Sequence, residues 1–445
     1  MRPWIAIASF GVLFVATFAC KHPGTSTDQS TLASAASSQV GQPVPDAFLQ
    51  AYRDYLGFYS KTAYPALAAK YPTTKQILYG NQSGPYELQS TDVDKLARKT
   101  DFTPDADPNH NIECTPTFIQ ALSSFNGQKV DFHGTVVMMH GFSACPQQFY
   151  DLAVKLSQLG YHAFIPVMPG QGRGPAPAGA QKGQAPTGIA DMGDHYSGFM
   201  PNYIEEYRYW RYASYINSIV ANLPGDKFVM GLSGGAAVAH LIAIEKPDMY
   251  KRALLLSTYY HQRDRSIPDP VYDSSVPPKD PALLFMLNKT RNWGQYCYDN
   301  TLLGRRGICD LKYSVVTGLN RYAANLITYI KEQAPKRPTW PQIQYVTIEN
   351  DGGADTVLNA EVFQIQHKAK PNAMSMCFYR DIPHPFLSKY DLPGADLYWM
   401  PSFFQQAIDF VKTGKFFLED APSVEATADL PFRLCYIPKG DMPSK

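Results

Sequence analysis

Phe228-Val229-Met230-Gly231-Leu232-Ser233-Gly234-Gly235-Ala236-Ala237-Val238-Ala239 is the stretch that decides how this chain is read. Its first residues are apolar and suit a buried strand. Its last are small and apolar and suit the opening turns of a buried helix. Between them, Gly231-x-Ser233-x-Gly235 is the G-x-S-x-G pattern of a nucleophile elbow. A serine on so sharp a strand-to-helix turn holds strained backbone angles. The residues two before and two after it pass close together, where only a small residue fits. The hydroxyl is then exposed at the positive end of a helix. A plain turn packing a helix on a strand would use the same glycines, but the strand before and the helix after favour the elbow.

Outward from this run, strands and helices alternate. Residues 135–139 predict a buried strand, 149–159 a helix, 161–167 a strand and 203–223 a helix. After the elbow helix, 252–257 predicts a strand. Later come strands at 343–348 and 373–379 with a helix at 358–369 between them, and a closing helix at 402–412. Such alternation predicts an α/β fold, a mostly parallel sheet with helices on both faces and its site at the carboxyl ends of the strands. The expected core is 131–257 with 339–445. The interruption at 258–338 is too long for a loop and reads as a helical cap insertion.

Each core strand runs into a chemical candidate. After 135–139 come His140-Gly141-Phe142. The glycine lets the backbone turn closely, and the Phe142 amide, with that of Gly234, would form an oxyanion hole. His140 itself reads as a structural loop histidine. After 343–348 comes Asn350-Asp351-Gly352-Gly353-Ala354-Asp355, which offers two acids to orient a histidine. Asp351-Gly352 is a common turn pair, so Asp355 is preferred to Asp351. After 373–379, His384 stands in a Pro-framed loop and follows the acid in the chain, as the order Ser…Asp…His requires. His240 and His367, on predicted helices, read as structural. Gly170, Gly172 and Gly174 do not make a dinucleotide loop, because Pro175 and Pro177 follow and no helix begins.

With these residues in place, the chain from about 134 to 413 resembles an α/β-hydrolase, in particular carboxylesterases and monoglyceride lipases. His140-Gly141-Phe142 is similar to their strand-end loop, and Gly231-Leu232-Ser233-Gly234-Gly235 to their elbow. Pro169-Gly170-Gln171-Gly172-Arg173-Gly174 is similar to their P-G-H-G stretch, with Gln171 where histidine is usual. Asp355-Thr356-Val357-Leu358 resembles their acid loop, and His384 takes the place of their terminal histidine. The resemblance implies ester hydrolysis through an acyl-enzyme, with Ser233, Asp355 and His384 as the triad, and no cofactor or metal. An amide or peptide hydrolase on the same fold is the first alternative. A non-catalytic surface-binding protein that keeps the fold is the second. Leu283, Leu284, Phe285, Met286 and Leu287 in the expected cap favour an apolar acyl group.

The remaining chain speaks to location and covalent framework. Lys and Arg total 40 against 39 Asp and Glu, so no global charge favours nucleic acid. Arg2, the apolar run 4–19 and Cys20 after Thr17-Phe18-Ala19 read as an export signal, 1–19. Its placement resembles a bacterial lipoprotein signal, with Cys20 lipidated as a membrane tether. The expected location is the periplasm or cell envelope. Residues 20–45, rich in Ser, Thr, Gln and Ala, read as a disordered tether, and 46–130 as an accessory N-terminal segment. Cys114, Cys145, Cys297, Cys309, Cys377 and Cys435 form an even set, which favours disulfides in an exported protein. Cys297 and Cys309 are the expected local pair, and no C-x-x-C spacing suggests a metal site.

Overall fold

A computed structural model describes residues 41–62, 117–142, 144, 146–169, 206–261, 313–349, 351–380, 382–384, 386–387, 397–417 and 433–435. The signal and Cys20, most of the tether, and Cys297 with Cys309 lie outside these residues. So do the glycines from 170 to 174 and the apolar run 283–287.

The strands are β1 (Thr117–Ile119), β2 (Ser124–Phe125), β3 (Gln128–Lys129), β4 (Gly134–Met139) and β5 (Tyr161–Ile165). They continue as β6 (Asp226–Leu232), β7 (Arg252–Leu256), β8 (Gln342–Ile348), β9 (Met374–Tyr379) and β10 (Arg433–Leu434). Eight of them form one sheet in the order β1-β5-β4-β6-β7-β8-β9-β10, while β2 and β3 make a separate hairpin. Every pairing from β5 to β10 is parallel, and β1 adds an antiparallel edge. β4 is buried along its whole length and β6 from Phe228 onward, as a parallel sheet covered on both faces requires. In β4, Val137 and Met139 face one apolar core, and Val136 and Met138 face the other.

The described helices are α1 (Asp46–Thr62), α2 (Tyr150–Gln158), α3 (Glu206–Val220), α4 (Gly234–Glu245), α5 (Tyr313–Gln333), α6 (Thr356–Ala369) and α7 (Met400–Thr413). α4, the helix after the elbow, is buried over nearly its whole length. Its run of glycine and alanine lets it lie close against β4, β6 and β7, and α3 and α5 cover its outer side. α5 lies within the span expected as a cap, yet it is a crossover helix of the core. Val316, Leu319, Tyr322, Ala323, Leu326 and Ile330 are buried in the same cluster as α4, and the Tyr322 hydroxyl donates to the Ala237 carbonyl at 2.9 Å. The physical reason is topological. Parallel β7 and β8 are neighbours, and the chain must cross the sheet face to join them. The core therefore reclaims 313–338, and residues 262–312 of the expected cap lie outside the described residues.

The expected accessory segment is also part of the core at both of its ends. α1 buries Phe48, Tyr52 and Tyr55 at helical spacing, with Phe48 4.6 Å from Phe118 of β1 between ring centroids. β1 itself extends the sheet beside β5. Gln42 is pinned by its amide to the Ala121 carbonyl at 2.7 Å and by its side chain to Val130. At the far edge, Cys377 of β9 is joined to Cys435 just beyond β10. Among the described residues, no helix is long and apolar enough to cross a membrane.

The strand order reverses direction once. From β4 the chain steps outward to β5, then returns to place β6 on the other side of β4. In open α/β sheets the place where the order reverses is the usual ligand site, and there the β4 and β6 ends lie side by side, Met139 opposite Gly231.

Candidate active site

Ser233 follows β6 directly, with φ 57° and ψ −124°. Positive φ is uncommon for a residue with a side chain, and it persists only where the surroundings enforce it. The surroundings are visible. The Ser233 amide donates to the Leu256 carbonyl at 2.9 Å, and its own carbonyl accepts from Tyr259 at 3.0 Å and Ala236 at 3.0 Å. A Cβ at Gly231 would stand 2.4 Å from the Gly235 carbonyl oxygen, and one at Gly235 would stand 2.1 Å from that of His140. Both glycines are therefore required by close backbone approach.

The loop after β4 lies against the start of α4. A Cβ at Gly234 would sit 2.9 Å from that of Phe142 and 3.5 Å from the Phe142 nitrogen. The Gly141 amide is occupied, donating to Gln148 Oε1 at 2.7 Å. Among the described residues, the Phe142 amide has no acceptor, so it is the loop's available donor.

His140 is fully buried behind this loop. Its Nε2 accepts from the Met168 amide at 3.0 Å, which places its proton on Nδ1, 2.9 Å from the Gly141 carbonyl. Burial lowers its pKa to about 4, outweighing the bond to Gly141. It is a neutral tie between the ends of β4 and β5. His240 is likewise enclosed, 2.7 Å from the Tyr260 hydroxyl and 3.2 Å from Gln366 Oε1, and burial lowers it to about 3. His367 stacks on Phe363 along α6.

His384 is different. Its side chain keeps 20% of its surface, and Nδ1 lies 2.7 Å from Oδ1 of Asp351, which is almost wholly buried. The same Oδ1 accepts from the amides of Gly353 at 2.7 Å and Ala354 at 3.0 Å, and Oδ2 accepts from the Ser257 hydroxyl. Burial alone would raise the Asp351 pKa. The charge of His384 and the hydrogen bonds from Ser257 and Gly353 outweigh it and hold the carboxyl below its usual value.

The preference for Asp355 over Asp351 is corrected by this geometry. Asp355 caps α6, its Oδ1 accepting from the Leu358 amide at 2.9 Å, and its own amide donates to the His261 carbonyl at 2.9 Å. The structure pairs His384 with Asp351 and gives Asp355 to the helix. Ser257, which the sequence reading passed over, is buried at the end of β7 with φ 44°. The short segment from Leu256 to Tyr259 thus touches both halves of the site. It binds the Ser233 backbone on one side and the Asp351 carboxylate on the other. Its place at a strand end was the only signal available in the sequence.

A parallel sheet of this order, with a serine on the strained turn after β6 and an Asp–His pair after β8 and β9, is the α/β-hydrolase fold, and this chain has it. A family model described as alpha/beta hydrolase fold matches residues 134–294. Among solved structures, the chain is similar to one from a study of LipS and LipT, two metagenome-derived lipolytic enzymes. The two are 12% identical, with a TM-score of 0.41, over 67% of this chain and 98% of that one. It is similar to a monoacylglycerol lipase from Paleococcus ferrophilus at 13% identity and TM-score 0.41, over 63% and 96%. It is similar to a soluble variant of the Saccharomyces cerevisiae monoglyceride lipase, solved with a substrate analog, at 13% identity and TM-score 0.41, over 67% and 91%. The comparison with curated proteins gives no match.

Proposed function

We propose that the chain is a serine hydrolase that cleaves carboxylic esters through an acyl-enzyme, with Ser233, His384 and Asp351 as its triad. The observation that carries this reading is the strained Ser233 at the same sheet edge as a His384 backed by a buried, hydrogen-bonded carboxylate. In the first step Ser233 Oγ attacks the ester carbonyl carbon, and its proton passes to Nε2 of His384. The amides of Phe142 and Gly234 hold the oxyanion. His384 then gives that proton to the departing alcohol oxygen as the C–O bond breaks, leaving the acyl-serine. Water repeats the sequence, with His384 as base, and releases the acid. Asp351 stays ionised throughout and keeps the imidazole proton on Nδ1.

An apolar acyl group fits the surroundings of the elbow. Phe142 and the buried Leu319 both lie against Gly234. Two added methylenes should raise kcat/KM by roughly an order of magnitude, at about 0.8 kcal/mol each. Export and lipidation at Cys20 belong to this proposal too, and rest on the composition of the first twenty residues.

The test is fluorophosphonate labelling of the wild type and of Ser233→Ala, with a p-nitrophenyl ester series and matched anilides. Labelling at Ser233, ester turnover reduced ~10⁴–10⁶-fold in the variant, and butyrate preferred to acetate are expected. Anilides cleaved faster than esters would favour an amide hydrolase. A wild type that neither labels nor turns over would leave a binding protein on a hydrolase fold.

A further inference from the structure

Asp351 is followed by two glycines, and their surroundings differ. Neither Gly352 nor Gly353 has a positive φ, so backbone conformation does not call for glycine at either position. A Cβ at Gly352 would meet nothing within 4 Å. A Cβ at Gly353 would stand 2.8 Å from Cδ2, 2.9 Å from Cγ and 2.9 Å from Nε2 of His384. Three atoms of the imidazole thus lie against the bare Cα of Gly353, closer than any side chain allows. The ring cannot tilt away freely, because Nδ1 is held 2.7 Å from Asp351 Oδ1.

We propose that Gly353 is a positioning residue, the seat on which the His384 imidazole rests while its Nδ1 faces Asp351. The proposal depends on the serine-hydrolase reading above, because it acts through the base that reading assigns. The missing side chain sets how closely the ring approaches the acid loop. Any Cβ at 353 would push the ring outward by roughly 1 Å to reach ordinary van der Waals contact at 3.4–4 Å, away from Asp351 Oδ1. The Gly353 amide donates to Asp351 at 2.7 Å, and an alanine keeps that bond. The effect of a substitution is therefore steric, and it falls on His384.

The two glycines provide a matched test in the full chain. Gly353→Ala should lower kcat ~10²-fold, the size of loss expected for a catalytic group misplaced by about 1 Å, with KM within about twofold of the wild type. Gly352→Ala should leave both constants within about twofold. A thermal-unfolding cycle supplies a readout that does not depend on turnover. Gly353→Ala should lower the midpoint when His384 is present, and should lower it far less in a His384→Ala background, where the ring it meets is gone. That double variant also folds if Gly353→Ala alone does not. Wild-type kcat in Gly353→Ala, equal losses from both glycines, or an undiminished thermal penalty in the His384→Ala background would each overturn the seat. These outcomes differ from failure of the underlying reading, which would show as a wild type with no Ser233 labelling.

Discussion

Asp351 does with one carboxylate what the sequence reading divided between two residues. Asp-Gly pairs mark turns, and Asp351 does close one, accepting from the amides at 353 and 354. Those same bonds stabilise the anion that faces His384, so turn chemistry and site chemistry are not alternatives here. Asp355 begins a helix, where an acid is favoured for capping alone. No one-dimensional pattern separates the two, because the difference lies in which carboxylate meets a histidine 33 residues away. Substitution separates them cleanly. Asp351→Asn should lower kcat ~10⁴-fold, since an amide cannot stabilise the imidazolium and favours the wrong tautomer. Asp355→Asn should stay close to wild type, because asparagine caps a helix as well as aspartate. Asp355→Ala should lose about 1 kcal/mol of stability with little change in kcat. Steady-state kinetics and urea unfolding of the three variants decide it, and a kcat collapse in Asp355→Asn would return the acid role to that residue. Ser257 and Gly353 escaped sequence reading for the same reason as Asp351: a donor to a distant carboxylate and a bare Cα under a distant ring leave no local signature.

Among the elements, the buried strands and the elbow were legible because periodicity and length carry them. The boundaries of the additions were not. α5 has an apolar face whether it caps a site or crosses a sheet, and only the adjacency of β7 and β8 settles which. α1 looked accessory because Pro and Gly separate the N-terminal patches from the alternating pattern. In the structure, its Tyr55 hydroxyl accepts from the Val167 amide at 3.2 Å, while Tyr212 of α3 donates to the Val167 carbonyl at 2.7 Å. The next amide, of Met168, is the one that ties to His140. The N-terminal helix thereby helps hold the backbone that leaves β5 beside the site. If α1 is integral, Phe48→Ala should cost about 3–5 kcal/mol, the range for truncating a fully buried aromatic. It should also lower the midpoint of the whole unfolding transition. Circular dichroism and tryptophan fluorescence, followed together in urea, check this. A separate early transition confined to one probe, with the main midpoint unmoved, would make α1 a detachable addition.

At the scale of the whole molecule, the reading of a parallel sheet between two helical layers followed from the alternation of elements, whereas the edges did not. β1 and β10 have three and two residues, too short for a period, and the bond from Cys377 to Cys435 depends on β10 lying beside β9. The interior that this architecture encloses also fixes how the protein responds to acid. His140, His162 and His240 are buried, and burial lowers their pKa values from 6.5 to about 4, about 3 and about 3. Each accepts or shares hydrogen bonds as a neutral ring, His162 Nδ1 accepting from the Ala121 amide at 2.8 Å. In the unfolded chain all three bind protons as the pH falls through about 6.5. The folded chain does not follow until far lower pH. Between about 6.5 and 4 the unfolded state therefore holds more protons, so stability is greatest above this window and falls as the pH drops through it. Each proton contributes about 1.4 kcal/mol per pH unit, so the slope should approach about 4 kcal/mol per unit near pH 5. A domain of ordinary stability, ~5–15 kcal/mol, would then unfold before its buried histidines titrate in place. Urea unfolding at half-unit steps from pH 7.5 to 5 measures the slope, and His240→Gln should reduce it by about a third, since glutamine takes no proton. A slope below that of one proton would mean that these histidines are not held neutral by the fold.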